Sequence, residues 1–222
     1  FLLSRNRMPN ILLGVTGSVA TIKIVELLTK LRNIGDVRIV TTANAYHFIK
    51  TSVDDIKIIK DVLYTDDMEW NSWNKRGDIV LHIELRKWAD IFIIAPLSAN
   101  SLAKISNGLS DNLITCIFRA WNWDNNVILC PAMNTLMWTS PFTNIHINRL
   151  KKLFKQKLII VNPISKKLMC KDVGIGAMEK VDKIVEITKD SLDAKMSTTN
   201  GSWKHFLIGI IIGMAVYLFW YL

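Results

Sequence analysis

The sequence predicts an α/β protein, a parallel sheet covered by helices on both faces, followed by a C-terminal transmembrane helix. Three observations carry this expectation. Short apolar runs bounded by turn residues recur along the chain and alternate with segments of helical spacing. The runs are apolar throughout rather than alternating, as strands buried on both faces must be. The last seventeen residues, "FLIGIIIGMAVYLFWYL" (Phe206 to Leu222), carry no charge.

The elements follow in order. "NILLGVTGSVA" (Asn10 to Ala20) reads as a buried strand and a glycine-containing turn, and Ile24, Leu27, Leu28 and Leu31 then repeat at helical spacing. Asn33 and Gly35 stop that helix. "VRIVTT" (Val37 to Thr42) is a second strand and "DIFIIAP" (Asp90 to Pro96) a third. Helices follow around Ala99 to Ile105 and Asp111 to Arg119. "NVILCPAM" is a fourth strand, "KLIIVNP" (Lys157 to Pro163) a fifth, and "VDKIVEITKDSL" (Val181 to Leu192) a closing amphipathic helix.

The division expected is an N-terminal extension over 1–9, a globular domain over 10–192, a Ser/Thr/Asn/Gly-rich linker over 193–204 and a tail anchor over 205–222. At about 1.5 Å of rise per residue the apolar tail reaches about 25 Å, the short end of a membrane span. Trp203 and Lys204 before it suit the membrane–water interface, and Gly209 and Gly213 form a GxxxG pair. Such a tail leaves the preceding domain in the cytoplasm. A buried terminal helix is the plainer alternative.

The formal charge is +9, but the cations are scattered and no basic helix is interleaved with aromatics, which argues against nucleic acid. Anionic small substrates and attraction to a phospholipid surface account for the charge more simply. Cys116, Cys130 and Cys170 have no metal-ligand spacing, and their odd number suits a reducing compartment. Cys116 and Cys130 lie in apolar runs and read as inert core residues. Cys170, in "KKLMCKDVGIG", reads as a loop thiol within reach of substrate.

In doubly wound sheets, ligands bind beyond the carboxyl ends of the strands. "GVTGS", "PLSANS" and "PAMN" each follow a strand, so all three are expected on one edge. Gly14 and Gly17 let the backbone approach a ligand, and free N–H groups at the helix start attract an anion. The segment is neither a P-loop nor a full GxGxxG, and a plain tight turn explains it equally well. Ser98, Asn100 and Ser101 sit at a second helix start, where ordinary capping is the alternative. Thr42 and Asn44 follow the second strand. His82 in "IVLHIELRKWAD" reads as partly buried among Ile79, Val80, Leu81, Ile83 and Leu85, and a satisfied core histidine is the bland reading. Asn134 stands between Met133 and Met137, a neutral amide among soft apolar side chains.

With "GSVA", "LHIELRKWADIFIIAPLSANSLAKISNGLSDNLITC", "PAMNTLMW" and "CKDVGIGAM" in this order, the chain resembles the phosphopantothenoylcysteine decarboxylases, of the flavin-containing cysteine decarboxylase family. The likeness runs from about Asn10 to Leu192. It implies a Rossmann-like domain, a homotrimer, FMN bound where subunits meet, and conversion of 4'-phosphopantothenoylcysteine to 4'-phosphopantetheine in coenzyme A synthesis. Carried over by motif, Gly17, Ser18, Val19, Thr42, Ala43, Asn44 and Phe48 would touch FMN. Ser98, Ala99, Asn100 and Ser101 would hold its phosphate side, and Ala132 would approach the ring. His82 would be the catalytic histidine and Cys170 a proton donor. Asn134 would grip the substrate carboxylate, Met137 would keep water from it, and Lys167 and Met169 would lie in a flap over the substrate. Lys171 stands where the family often has glycine. The family also contains phosphatase-inhibitory subunits and decarboxylases of peptide C-terminal cysteine. The absence of a long acidic extension and the "LHIELRKWAD" block favour the coenzyme A branch.

Overall fold

The computed structural model describes residues 7–51, 53–167 and 173–195. Six strands form one sheet: β1 (Asn10–Val15), β2 (Asp36–Thr41), β3 (Leu63–Thr65), β4 (Ile91–Leu97), β5 (Val127–Pro131) and β6 (Leu158–Ile160). Between the strands run α1 (Ile24–Leu31), α2 (Ala43–Ile49), α3 (Val53–Ile59), α4 (Asp66–Asn71), α5 (Leu81–Trp88), α6 (Ala99–Asn107), α7 (Leu113–Arg119), α8 (Thr135–Trp138) and α9 (Pro141–Phe154). A separate antiparallel hairpin follows, β7 (Ile164–Lys167) with β8 (Val173–Ala177). A final helix, α10, starts at residue 181. The chain divides into one compact unit over 1–186 and a second over 187–222, whose described part, 187–195, is helical.

The strand order is β3-β2-β1-β4-β5-β6 and every neighbouring pair is parallel. β1, β4 and β5 are buried at each residue, which explains why they read as unbroken apolar runs. Side chains on a strand alternate between faces. One face carries Leu12, Val40, Phe92, Ile94, Val127 and Leu129 into a cluster with Leu85 of α5, Leu102 and Ile105 of α6, Ile117 and Phe118 of α7 and Leu150 of α9. The intervening Ile11, Leu13, Ile39, Ile93 and Ile128 are equally buried but belong to the opposite face. Helix α1 buries Ile24, Leu27, Leu28 and Leu31, one stripe at 3.6-residue spacing. Burial of each such side chain stabilises the fold by roughly 1.5–3 kcal/mol.

The Rossmann-like sheet is as the sequence predicts. One part of the predicted fold class is corrected: no helix among the described residues is long and apolar enough to cross a membrane. The C-terminal transmembrane helix is therefore withdrawn from the fold, and residues 205–222, on which it was placed, lie outside the described residues. Two local readings also change. Ile79 and Val80 are exposed rather than part of the apolar surroundings expected of His82, which is itself partly buried. Cys116 is only half-buried, on the face of α7 that meets α4 and α5, rather than sealed in the core.

The strand order reverses between β1 and β4, so the chains leaving their carboxyl ends part in opposite directions and open a crevice. Thr16, fully buried at the end of β1, holds that point together. Its hydroxyl donates to Pro96 O at 2.9 Å and accepts from Ser98 N at 2.7 Å, and its own N–H donates to Pro96 O at 3.1 Å. The starts of the two ligand-facing segments are thereby fixed to each other.

Candidate active site

A cavity of about 510 Å3 opens at this crevice. Its walls come from the carboxyl ends of four strands. Gly17, Ser18 and Val19 follow β1, and Thr42, Ala43, Asn44 and Phe48 follow β2. Ser98, Ala99, Asn100 and Ser101 follow β4, and Ala132 and Met133 follow β5. The cavity thus gathers every residue that the sequence reading assigned to cofactor binding, together with Met137.

Local chemistry explains the shape. Ser18, Thr42 and Ser98 each cap a helical start, accepting from Ala20 N at 3.4 Å, Ala45 N at 3.2 Å and Ser101 N at 3.2 Å. The capping alternative considered for Ser98 is therefore real. It does not compete with ligand binding, because the first-turn N–H groups at Ala99 and Asn100 have no partner within an α-helix, and both residues line the cavity. Gly17 is required by close approach. A Cβ there would lie 2.7 Å from Asn44 Cβ, closer than packed carbons come. Gly17→Ala forces the β1 and β2 exits apart at a cost of roughly 1–3 kcal/mol. It is expected to weaken FMN binding about tenfold or more, read by titrating flavin fluorescence; parent-like affinity would show that this approach does not shape the site.

Four further residues were not anticipated. Asp66 starts α4 and lies half-buried on the cavity wall. Its carboxylate accepts from Leu113 N at 2.8 Å and from the Ala43 backbone, so one acid caps α7 and α2 together. Burial pushes its carboxyl up, against the pull of those two N–H groups. Lys104 and Asp111, also on the wall, form an ion pair that holds the Asp111 carboxyl below its ordinary value. Asn112 caps α7 through a reciprocal pair with Thr115. "TDD" and "SDN" carry cap chemistry that a sequence can show; their convergence on one cavity is tertiary.

A second cavity, about 320 Å3, adjoins the first and shares Asp66, Asp111 and Asn112 with it. It holds His82, Glu69, Trp70, Trp73 and Cys116. His82 Nδ1 lies 2.6 Å from Glu69 Oε1. Burial first, then the charges of Glu69, Asp66 and Asp111, push the Cys116 thiol up, so it is not a thiolate near neutral pH. Cys130, fully buried, is pushed much further in the same direction.

Asn134 caps α8, its Oδ1 accepting from Leu136 N at 2.8 Å. The hairpin β7–β8 leans on this segment, with Met133 N donating to Gly176 O at 2.9 Å. Lys167 ends β7, paired in register with Val173. Met169 and Cys170 lie outside the described residues. Met137, expected to exclude water, is 49% exposed in the single chain.

FMN fits this cavity on the chain's own features. The volume lies within the roughly 300–1,000 Å3 of small-molecule sites. Gly17, Ala43, Ala99 and Ala132 leave room for close approach, and helix-start N–H groups supply anion donors. Asp66, Lys104, Asp111 and Asn112 add charged and polar groups to its wall. Among the described residues no cluster of ligating side chains could hold a metal ion.

Comparison with known proteins agrees with the geometry. The Flavoprotein family model matches residues 3–193. The phosphopantothenoylcysteine decarboxylase HAL3a of Glycine max is 47% identical over 196 residues, spanning 88% of this chain and 90% of the relative. The phosphopantothenoylcysteine decarboxylase of Mus musculus is 44% identical over 184 residues, 82% of this chain and 86% of the relative. A solved cysteine-to-serine mutant of PPC decarboxylase, complexed with pantothenoylaminoethenethiol, superposes with a TM-score of 0.76 at 46% identity over 82% of this chain and 97% of its own. The FMN binding protein AtHal3 gives 0.74, also at 46% identity, over 82% and 96%. The chain belongs to the Flavoprotein family, within its phosphopantothenoylcysteine decarboxylase branch.

Proposed function

We propose that this chain is an FMN-dependent phosphopantothenoylcysteine decarboxylase, a carboxy-lyase that converts 4'-phosphopantothenoylcysteine to 4'-phosphopantetheine in coenzyme A synthesis. The observation that carries the reading is one cavity at the β1/β4 switch point, walled by small residues and helix starts, in a chain 47% identical to such an enzyme. FMN supplies the one thing that side chains lack, two-electron oxidation of the thiol-bearing carbon, which turns the neighbouring carboxylate into one that can leave as carbon dioxide.

The chain's residues do the rest. Gly17, Ser18, Val19, Thr42, Ala43, Asn44 and Phe48 seat the flavin. Ser98, Ala99, Asn100 and Ser101 receive its phosphate at the start of α6, where the helix dipole favours an anion. Ala132 leaves space against the ring. Asn134 meets the substrate carboxylate. A carboxylate only accepts hydrogen bonds, so it is the Nδ2 group that would donate to it, while Oδ1 accepts from Leu136 N. A neutral amide binds the carboxylate without an ion pair that would resist its loss. His82 manages a proton during oxidation. Lys167 and Met169 bind the substrate, and Cys170 returns a proton to the product carbon.

The active form is a homotrimer with flavin where subunits meet. In one chain His82 and the flavin site occupy two adjoining cavities, and Trp70, Trp73, Leu136 and Phe142 nearby in sequence are 53–79% exposed. That apolar exposure supports the reading of a subunit interface. The free thiols of Cys116 and Cys130 suit the reducing cytoplasm.

One experiment tests the assignment. Purified chain is loaded with FMN, its mass measured by light scattering, and 4'-phosphopantothenoylcysteine added. Trimeric yellow protein releasing one carbon dioxide per phosphopantetheine formed is expected. Flavin-loaded protein that releases none rules out the activity, and a monomeric mass in active protein rules out the trimer.

A further inference from the structure

We infer that Glu69 is a positioning residue, fixing the tautomer of His82 so that Nε2 is the ring nitrogen able to accept a proton. The inference rests on the proposed role of His82. Glu69 stands on α4 and His82 in the first turn of α5. Glu69 Oε2 accepts the backbone N–H of His82 at 3.0 Å, while Oε1 lies 2.6 Å from Nδ1. The pair is largely enclosed, with side chains 13% and 24% exposed.

An ionised carboxylate can only accept hydrogen bonds. Nδ1 must therefore carry the hydrogen, and in the neutral ring the lone pair falls to Nε2. The backbone bond keeps the carboxylate from swinging away. It also serves α5, whose N-cap residue, Val80, provides no side-chain cap. A first-turn N–H that would otherwise lack a partner is satisfied by the acid that orients the ring. The other ionisable groups on this cavity are Asp66, Asp111 and Cys116; among the described residues none bonds to the imidazole.

The arrangement holds for a carboxylate and reverses for the isosteric amide. Gln has one accepting end and one donating end. The His82 backbone N–H can only donate, so it takes the amide oxygen. The amide NH2 then faces Nδ1, which accepts only if the ring moves its hydrogen to Nε2. Glu69→Gln thus keeps the shape and the helix cap while removing the lone pair from the nitrogen that the reaction uses.

The test uses full-length, FMN-loaded protein with 15N-labelled histidine. In Glu69→Gln, bound flavin is expected to match the parent and KM to stay within about twofold, while kcat falls about 100-fold or more, the usual worth of a general base. The imidazole 15N resonances of His82, assigned by their loss in His82→Asn, are expected to exchange protonated and unprotonated positions. Glu69→Asp, which keeps an accepting-only group, is expected to retain the parent tautomer, and it carries the test if the Gln variant does not fold. Parent-like kcat or an unchanged tautomer in Glu69→Gln overturns the inference. If His82→Asn itself turns over normally, the role of His82 falls and this inference with it. If His82→Asn is inactive and Glu69→Gln is not impaired, only the role of Glu69 falls.

Discussion

Replacing His82 by Asn is expected to leave FMN bound and to lower kcat by roughly 10^2–10^4, the range that general acid–base catalysis contributes. The retention of flavin follows from geometry: His82 lies on the second cavity and contributes nothing to the wall of the first. Retention of the fold follows from Glu69. Its two oxygens now accept from the His82 ring and backbone. The Asn side chain offers an N–H donor close to the place of Nδ1, so the nearly buried carboxylate keeps both partners. A smaller residue such as Ala would leave that carboxylate half-satisfied, at a cost of roughly 1–3 kcal/mol, and would confuse stability with catalysis. The measurement is flavin absorbance and stoichiometry beside single-turnover release of carbon dioxide. Loss of flavin from the variant would mean that the two cavities are not independent. Unchanged turnover would remove His82 from the reaction.

The division between the first cavity and the His82–Glu69 pair was only half legible in the sequence. β1, β4 and β5 could be read because burial on both faces leaves no polar residue to interrupt them. The residues proposed to seat the flavin follow those strands and β2, so strand position and site position came together. β3 and β6 are three residues each, too short to show a period, and β6 was read as longer than it is. The hairpin β7–β8, "ISKK" with "VGIGA", is polar and glycine-rich and escaped notice as strand pairing. Helix α9 was missed because its buried face is thin, with only Thr143, Ile147 and Leu150 buried. Glu69 was invisible for a different reason. It meets His82 across two helices from 13 residues away, and no local spacing records that. Cys116 shows the converse: an apolar neighbourhood in sequence need not be the core, because one side of α7 faces the second cavity.

The hairpin supplies the other large effect. Gly176→Ala is expected to lower turnover about 100-fold, the price of displacing a reacting group by about 1 Å, while flavin affinity changes far less. Gly176 has a φ of +153°, a backbone conformation that residues with a Cβ rarely adopt. Space forbids the side chain as well, since a Cβ would lie 2.2 Å from Met133 O. Both terms oppose the native hairpin, by roughly 2–5 kcal/mol together. The contact that yields is the hydrogen bond from Met133 N to Gly176 O, which docks β8 on the segment carrying Asn134. Sheet and core are untouched, because the hairpin shares no strand with the main sheet. The segment carrying Asn134 therefore loosens while Gly17 to Val19, Thr42 to Asn44 and Ser98 to Ser101 keep their places. Carbon dioxide release, flavin titration and a urea midpoint on the same preparation separate these outcomes. Turnover near the parent value would show that hairpin and amide need not be held together. A loss of flavin affinity equal to the loss of turnover would show that the damage had spread to the cofactor site instead.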